Sequence, residues 1–327
     1  MKTLASTSPP TIVRQADGRV AALRAGAAER AAAHGLQPGR RRWLGRLAAG
    51  ATALGGAGLG VPLFASLAAL PRPASAGRIA EIPEKRSALV FGNAAYPAAT
   101  LKNPVRDARL VTATLKDLGF QVAIAENAGL ATMRDSLRTW LIASADSDVR
   151  AFYYAGHGVQ YRGSSYLIPV DAVLEAEDEI VSKAFNLQDL ISRLSRTEKG
   201  VNFVILDACR ADPQALLTQV TRRSRSLENP ISSGLAPVPA PRGTVISYST
   251  SPGSLAADGL HSPNSVFTRA LAEQMRKPGV PIETVFKRVR MAVMRETRNQ
   301  QVPWETSSLV GDFCMRPNAA GECGIDG

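Results

Sequence analysis

From residue 85 onward the chain alternates between two hydrophobic patterns. Residues 87–92 form a short apolar run closed by glycine, the pattern of a strand buried on both faces. Leu101, Val105, Ala108, Val111, Leu115 and Leu118 then recur at spacings of three and four, the stripe of an amphipathic helix that Gly119 ends. The cycle repeats. Residues 121–125 predict a strand and 130–144 a helix. Residues 149–154 predict a strand running into Gly156-His157-Gly158, and 187–194 a helix with Leu187, Leu190, Ile191 and Leu194 on one face. Residues 201–206 predict a strand running into Asp207-Ala208-Cys209-Arg210. A further strand is expected at 244–249, and helices at 265–275 and 282–298.

Strands that are nearly continuous apolar runs, alternating with helices, predict an α/β fold. The expected form is a three-layer sandwich whose mostly parallel sheet of about six strands carries helices on both faces. Sites in such sheets form just beyond the carboxyl ends of the strands. The segments holding His157 and Cys209 both begin where a predicted strand ends, which makes them the leading candidates for chemistry. Residues 211–242, with five prolines, predict a long connection. A loop of that length within a compact domain points to function or mobility.

The first 76 residues follow another pattern. Residues 1–39 are rich in Ala, Gly and Arg. Arg40-Arg41-Arg42-Trp43-Leu44-Gly45-Arg46 precedes 24 uncharged residues, 47–70, and then Ala74-Ser75-Ala76-Gly77. Basic region, apolar region and small-residue site, in that order, predict an export signal of twin-arginine type cleaved after Ala76. The alternative is an uncleaved anchor, since 24 residues can span a bilayer. Either places the rest in the periplasm, in the medium or at the outer membrane face. The expected organisation is leader 1–76, linker 77–84, domain 85–313 and tail 314–327.

Charge strengthens this division. The formal net charge is +11, but residues 1–76 hold 10 Lys and Arg against 2 Asp and Glu. The remainder holds 29 against 26, so basicity resides mostly in the leader and no nucleic-acid partner is expected. A membrane would be met only through the leader's apolar stretch. Three cysteines exclude a disulfide-dense scaffold and a four-cysteine zinc site. Cys314 and Cys323 could pair outside the cytoplasm, or could be two unrelated surface cysteines.

Beyond the leader stand only two histidines, His157 and His261. A free thiol is only a few per cent thiolate at neutral pH. An imidazole beside Cys209 would supply the missing base and later protonate a leaving amine. The amides of Gly158 and Cys209 could together hold an oxyanion.

Tyr153-Tyr154-Ala155-Gly156-His157-Gly158 and Asp207-Ala208-Cys209-Arg210, 52 residues apart from His157 to Cys209, resemble the histidine and cysteine motifs of the caspase-like cysteine peptidases (clan CD, family C14). The likeness is greatest to the bacterial caspase-domain proteins, relatives of metacaspases and paracaspases. It covers about residues 85–313 and takes in Asn93, Leu101-Lys102-Asn103-Pro104 and Val302-Pro303-Trp304-Glu305. The resemblance implies an exported endopeptidase with a Cys209–His157 dyad acting on proteins or peptides. The alternative within the same fold is a catalytically inactive interaction or signalling module.

Caspases carry Gln two residues before the cysteine and cleave after Asp; this chain has Asp207 there. In metacaspases and paracaspases, acids at positions matching Asp107 and Asp207 line a pocket for Arg or Lys, so the resemblance implies a half-buried pocket here; Asp258 is a candidate third acid, the alternative being a solvated charge. Two carboxylates suit a bidentate guanidinium. The family's connection after the cysteine is often cut during maturation, which makes Arg222, Arg223 and Arg225 candidate self-cleavage points; the alternative is a solvated basic loop that is never cut. No cofactor is expected and no calcium loop of recognisable pattern is visible; calcium would rest on the resemblance alone.

Overall fold

The computed structural model describes residues 84–97, 99–196, 200–209, 231–233, 235–251 and 262–324, with the backbone alone at 209 and 231–233. They belong to one compact unit, Ser75–Gly327. The leader with Ala76, the loop carrying Arg222, Arg223 and Arg225, and the segment with Asp258 and His261 lie outside the described residues.

Strands β1 (Arg86–Gly92), β2 (Phe120–Glu126), β3 (Val149–Tyr161), β6 (Val201–Cys209), β8 (Thr244–Tyr248) and β9 (Trp304–Ser307) form a sheet in the order β2-β1-β3-β6-β8-β9. All neighbours are parallel except β9, which runs antiparallel to β8. The α/β sandwich expected from the pattern is the observed one. Alternation along each strand divides the core in two. Ala88, Val90, Tyr153, Phe203, Ile205 and Val245 pack under helices α1 (Pro104–Asp117), α5 (Val266–Met275) and α6 (Ile282–Glu296). Leu89, Phe91, Phe152, Val204, Leu206 and Ile246 pack with α2 (Leu130–Ala143) and α4 (Leu187–Leu194).

Local chemistry sets several boundaries. Pro104 opens α1, where a missing N–H costs nothing. The side chain of Asn186 caps α4 by accepting from Asp189 N at 3.1 Å, and Ser265 caps α5 by accepting from Thr268 N at 2.9 Å. The Val302-Pro303-Trp304-Glu305 run enters β9. Arg290 of α6 holds it, donating to Pro303 O at 2.8 Å and pairing with Glu305.

The structure departs from the sequence reading at β3. His157 does not end a strand: β3 continues to Tyr161, 13 residues in all. Beyond the last parallel pair, its backbone is taken up by antiparallel ladders with β4 (Ser164–Leu167) and β7 (Ile231–Ser233). β7 lies inside the connection expected to be loop. A third short strand, β5 (Phe185–Asn186), follows helix α3 (Ile180–Lys183) and extends the small ladder. Helix α6 ends at Glu296, because Arg298 and Asn299 adopt positive φ.

The segment expected to be a tail is packed into the domain. Ile282 N donates to Phe313 O at 2.8 Å and Gly279 N to Arg316 O at 2.8 Å, while Arg86 Nη1 reaches Met315 O at 2.6 Å. The Arg86 guanidinium lies 5.6 Å from the Phe120 ring centroid and 5.8 Å from that of Phe313. Cys314 and Cys323 form a disulfide across nine positions of sequence. Closing a loop this short should stabilise the fold by about 2.5 kcal/mol through the unfolded chain. Calorimetry should therefore show reductant and the double substitution Cys314→Ser, Cys323→Ser lowering the melting temperature equally. Reductant should do nothing further to the double variant.

Candidate active site

In the parallel pairing of β3 with β6, Ala155 stands opposite Asp207, Gly156 opposite Ala208 and His157 opposite Cys209. The two motifs therefore meet as neighbouring positions at the carboxyl end of the central strand pair. His157 is the last residue of β3 in the parallel ladder, and Cys209 the last of β6. The sequence separation of the motifs is cancelled by register.

His157 is buried and held from several sides. Its Nε2 lies 2.6 Å from the carbonyl oxygen of Ala99. A carbonyl only accepts, so Nε2 carries the proton and Nδ1 is the basic nitrogen of the neutral ring. Ala99 has φ +59°, a conformation costly for a side chain with Cβ, which aims its carbonyl at the imidazole. The Tyr96 ring lies 4.4 Å from the imidazole, centroid to centroid, and its hydroxyl accepts from His157 N at 3.0 Å. Tyr154 donates to His157 O at 2.7 Å.

The loop that presents Tyr96 and Ala99 is itself tied down. Asn93 Oδ1 accepts from Ala128 N at 2.9 Å and its Nδ2 donates to Ala128 O at 3.2 Å. Asn127 Oδ1 accepts from Ala94 N and Ala95 N at 2.9 and 3.0 Å.

Gly158 has a double constraint. A Cβ there would stand 2.9 Å from Leu235 Cδ2 and 3.1 Å from Ala208 Cβ. Ile168 N donates to His157 O at 2.9 Å. Hydrogen-bonded and open pairs alternate in an antiparallel ladder, so Gly158 opposite Leu167 falls at an open pair. Its N–H faces away from β4, toward the side of β6, as an oxyanion donor beside Cys209 requires.

Asp107 and Asp207 come together around one residue. Ser265 N donates to Asp107 Oδ1 at 2.9 Å, and Ser265 Oγ donates to Asp207 Oδ2 at 2.5 Å. Asn264 Nδ2 adds a bond to Asp107 Oδ1 at 2.8 Å, and Thr268 Oγ1 one to Asp207 Oδ2 at 2.7 Å. The acids are 2% and 3% exposed, deeper than the half-buried pocket expected. The cause is the start of α5, whose capping residue fills the space between α1 and β6. Asp258 lies outside the described residues, as does the side chain of Cys209. Among the described residues, no group of three or more His, Cys, Asp or Glu could hold a metal ion.

Sequence reasoning missed Tyr96, Ala99, Asn264, Ser265 and Thr268, and gave Tyr154, within the histidine motif, no role of its own. Ser265 stood at a predicted helix start, but its bond to a carboxylate 58 residues away leaves no trace in local pattern. A backbone carbonyl such as that of Ala99 carries no residue-type signal at all.

A histidine on one strand thus stands in register with a cysteine on the next, at the carboxyl edge of the parallel strands. Residues 85–314 match the family model for the caspase domain, and the chain belongs to that family. Over 130 residues, or 39% of the chain, it is 29% identical to human mucosa-associated lymphoid tissue lymphoma translocation protein 1. The mouse homolog is 28% identical over the same length. The aligned stretch covers only 15% of these relatives' own length. Caspase-1 from Spodoptera frugiperda is similar in fold, with a TM-score of 0.52 at 18% identity, covering 72% of this chain and 92% of that one. A structure of pro-sf-caspase-1 gives 0.51 at 19% identity.

Proposed function

We propose that the protein is an exported cysteine endopeptidase that cleaves after Arg or Lys. The observation that carries this reading is the pairing of His157 with Cys209 in adjacent strands, with the proton of His157 committed to Ala99 O. In this mechanism Nδ1 takes the thiol proton and the thiolate attacks the scissile carbonyl. The N–H groups of Gly158 and Cys209 receive the oxyanion, and the imidazolium then protonates the leaving amine. Water, activated by the same nitrogen, hydrolyses the acyl-enzyme.

Asp107, Asp207 and Asp258 supply the negative charge that selects a cationic side chain. Two buried carboxylates held together by neutral donors at a helix start support this assignment. Export is supported by the order of segments in the leader and by the Cys314–Cys323 disulfide, a bond that persists in oxidising compartments. Among the described residues no helix is long and apolar enough to cross a membrane; residues 47–70 lie outside them.

The test is turnover by the full chain of fluorogenic peptides ending in Arg, Lys or Asp, with Cys209→Ala as control. Cleavage of the Arg and Lys peptides alone is expected. Preference for Asp would overturn the specificity, and turnover no greater than that of Cys209→Ala would favour the inactive module. Asp207→Asn should lower kcat/KM for the Arg peptide about 100-fold, the size expected when one partner of a buried charge pair is lost. Export is checked by sequencing the amino terminus of the extracytoplasmic protein. Gly77 is expected there, and Arg40→Lys with Arg41→Lys should retain the chain inside.

A further inference from the structure

The loop before α1 does more than offer a carbonyl to His157. Tyr96, three residues ahead of Ala99, is buried, and its ring lies tilted by 45° against the imidazole at 4.4 Å. Its hydroxyl is the acceptor for His157 N–H at 3.0 Å. The same hydroxyl stands 3.2 Å from Tyr154 Oη, and both hydroxyls reach the carbonyl of Ile168, at 3.1 and 3.0 Å. Tyr154 Oη also donates to His157 O at 2.7 Å. Both backbone polar groups of His157 thus end on a tyrosine hydroxyl, and one of those tyrosines also backs its ring. Gly156 makes the arrangement fit, because a Cβ there would lie 2.6 Å from each hydroxyl oxygen.

We propose that Tyr96 is a positioning residue for His157, fixing its backbone through the hydroxyl and its imidazole through the ring. This rests on the reading of His157 as the base of a cysteine peptidase. When the Cys209 thiol passes its proton to Nδ1, the products are a thiolate and an imidazolium. A cation is attracted by the face of an adjacent aromatic ring, more so where water is excluded. Tyr96 therefore favours the charged pair that attacks substrate and holds Nε2–H on Ala99 O while it forms. Substrate need not touch Tyr96, so the effect belongs in kcat and not in KM.

The experiment uses the full chain with nitrogen-15 in its histidines, comparing wild type, Tyr96→Phe and Tyr96→Leu. Turnover of an Arg-terminated peptide and the imidazole nitrogen and N–H resonances of His157, assigned with His157→Gln, are read on the same samples. Tyr96→Leu should lower kcat about 30-fold with KM within about twofold. Its His157 Nε2–H resonance should broaden and the nitrogen shifts should report a tautomer mixture. Tyr96→Phe keeps the ring but not the hydrogen bond, and should recover to within about fivefold of wild type.

Wild-type kcat in Tyr96→Leu, or a loss confined to KM, overturns the proposal. Should Tyr96→Leu fail to fold, Tyr96→Phe decides: a fall of about fivefold in kcat at unchanged KM supports it, and wild-type kcat overturns it. If the wild-type protein turns over no peptide, the peptidase reading fails by itself. The resonances still decide positioning: an unchanged Nε2–H signal in Tyr96→Leu overturns it, and a mixed-tautomer spectrum supports it.

Discussion

Removing either His157 or Cys209 is expected to lower kcat for an Arg-terminated peptide by about 10⁴-fold or more, and removing both is expected to cost no more than removing one. The reason is that in the proposed mechanism the two act as a unit. A thiol without its base is mostly protonated at neutral pH, and a base without the thiol has nothing to deprotonate. In the proposed dyad, which the pairing of positions 157 and 209 in one ladder supports, neither side chain would serve alone. The residual rate in all three variants should be the same, since oxyanion donors on the backbone of Gly158 and position 209 survive the substitutions. Single-turnover assays of Cys209→Ala, His157→Ala and the double variant check this. Losses that multiply in the double variant would show independent roles and sink the dyad. Cys209→Ala should melt close to wild type, because the ladder that places it is made by the backbone.

The architecture was legible because its determinants are local and repeated. Apolar runs on β1, β3 and β6 have the length and composition of strands buried on both faces, and the stripe on α1 repeats at helical spacing. The histidine and cysteine motifs were legible because their residue types are scarce: beyond the leader there are two histidines and three cysteines. What stayed hidden depends on contacts between distant segments. β7 is three residues long and exists only because β3 offers it an edge. The continuation of β3 past His157 could not be read from Gly156-His157-Gly158, since paired glycines mark a turn in most contexts, and here the β4 and β7 ladders override them. Ser265 read as a helix cap is correct but incomplete. Its hydroxyl also joins an acid from β6, and its N–H an acid from α1, across separations of 58 and 158 residues. The depth of the acids followed from that unseen contact.

Gly156→Ala is expected to be among the most damaging single methyl additions in the domain, lowering stability by about 3 kcal/mol and kcat by at least tenfold. Two effects coincide there. Gly156 has φ +155°, outside the range that residues with Cβ readily adopt. The added carbon would also lie 2.6 Å from Tyr154 Oη, 2.6 Å from Tyr96 Oη and 2.9 Å from Tyr154 Cζ. Neither hydroxyl can retreat without breaking bonds to buried backbone at His157 and Ile168. The crowding is therefore passed to His157, the proposed base. Gly119→Ala separates the two effects, because Gly119 has φ +84° with nothing within 4 Å of its would-be Cβ. That variant should cost only about 1 kcal/mol, the backbone share, and leave kcat unchanged. Gly158→Ala tests a softer neighbour: its Cβ meets the flexible end of Leu235, but also Ala208 beside the cysteine. It should destabilise less than Gly156→Ala while still slowing turnover. Denaturant midpoints and kcat measured together decide the matter. If Gly156→Ala matches Gly119→Ala in both, the tyrosine pair is not a fixed support of His157.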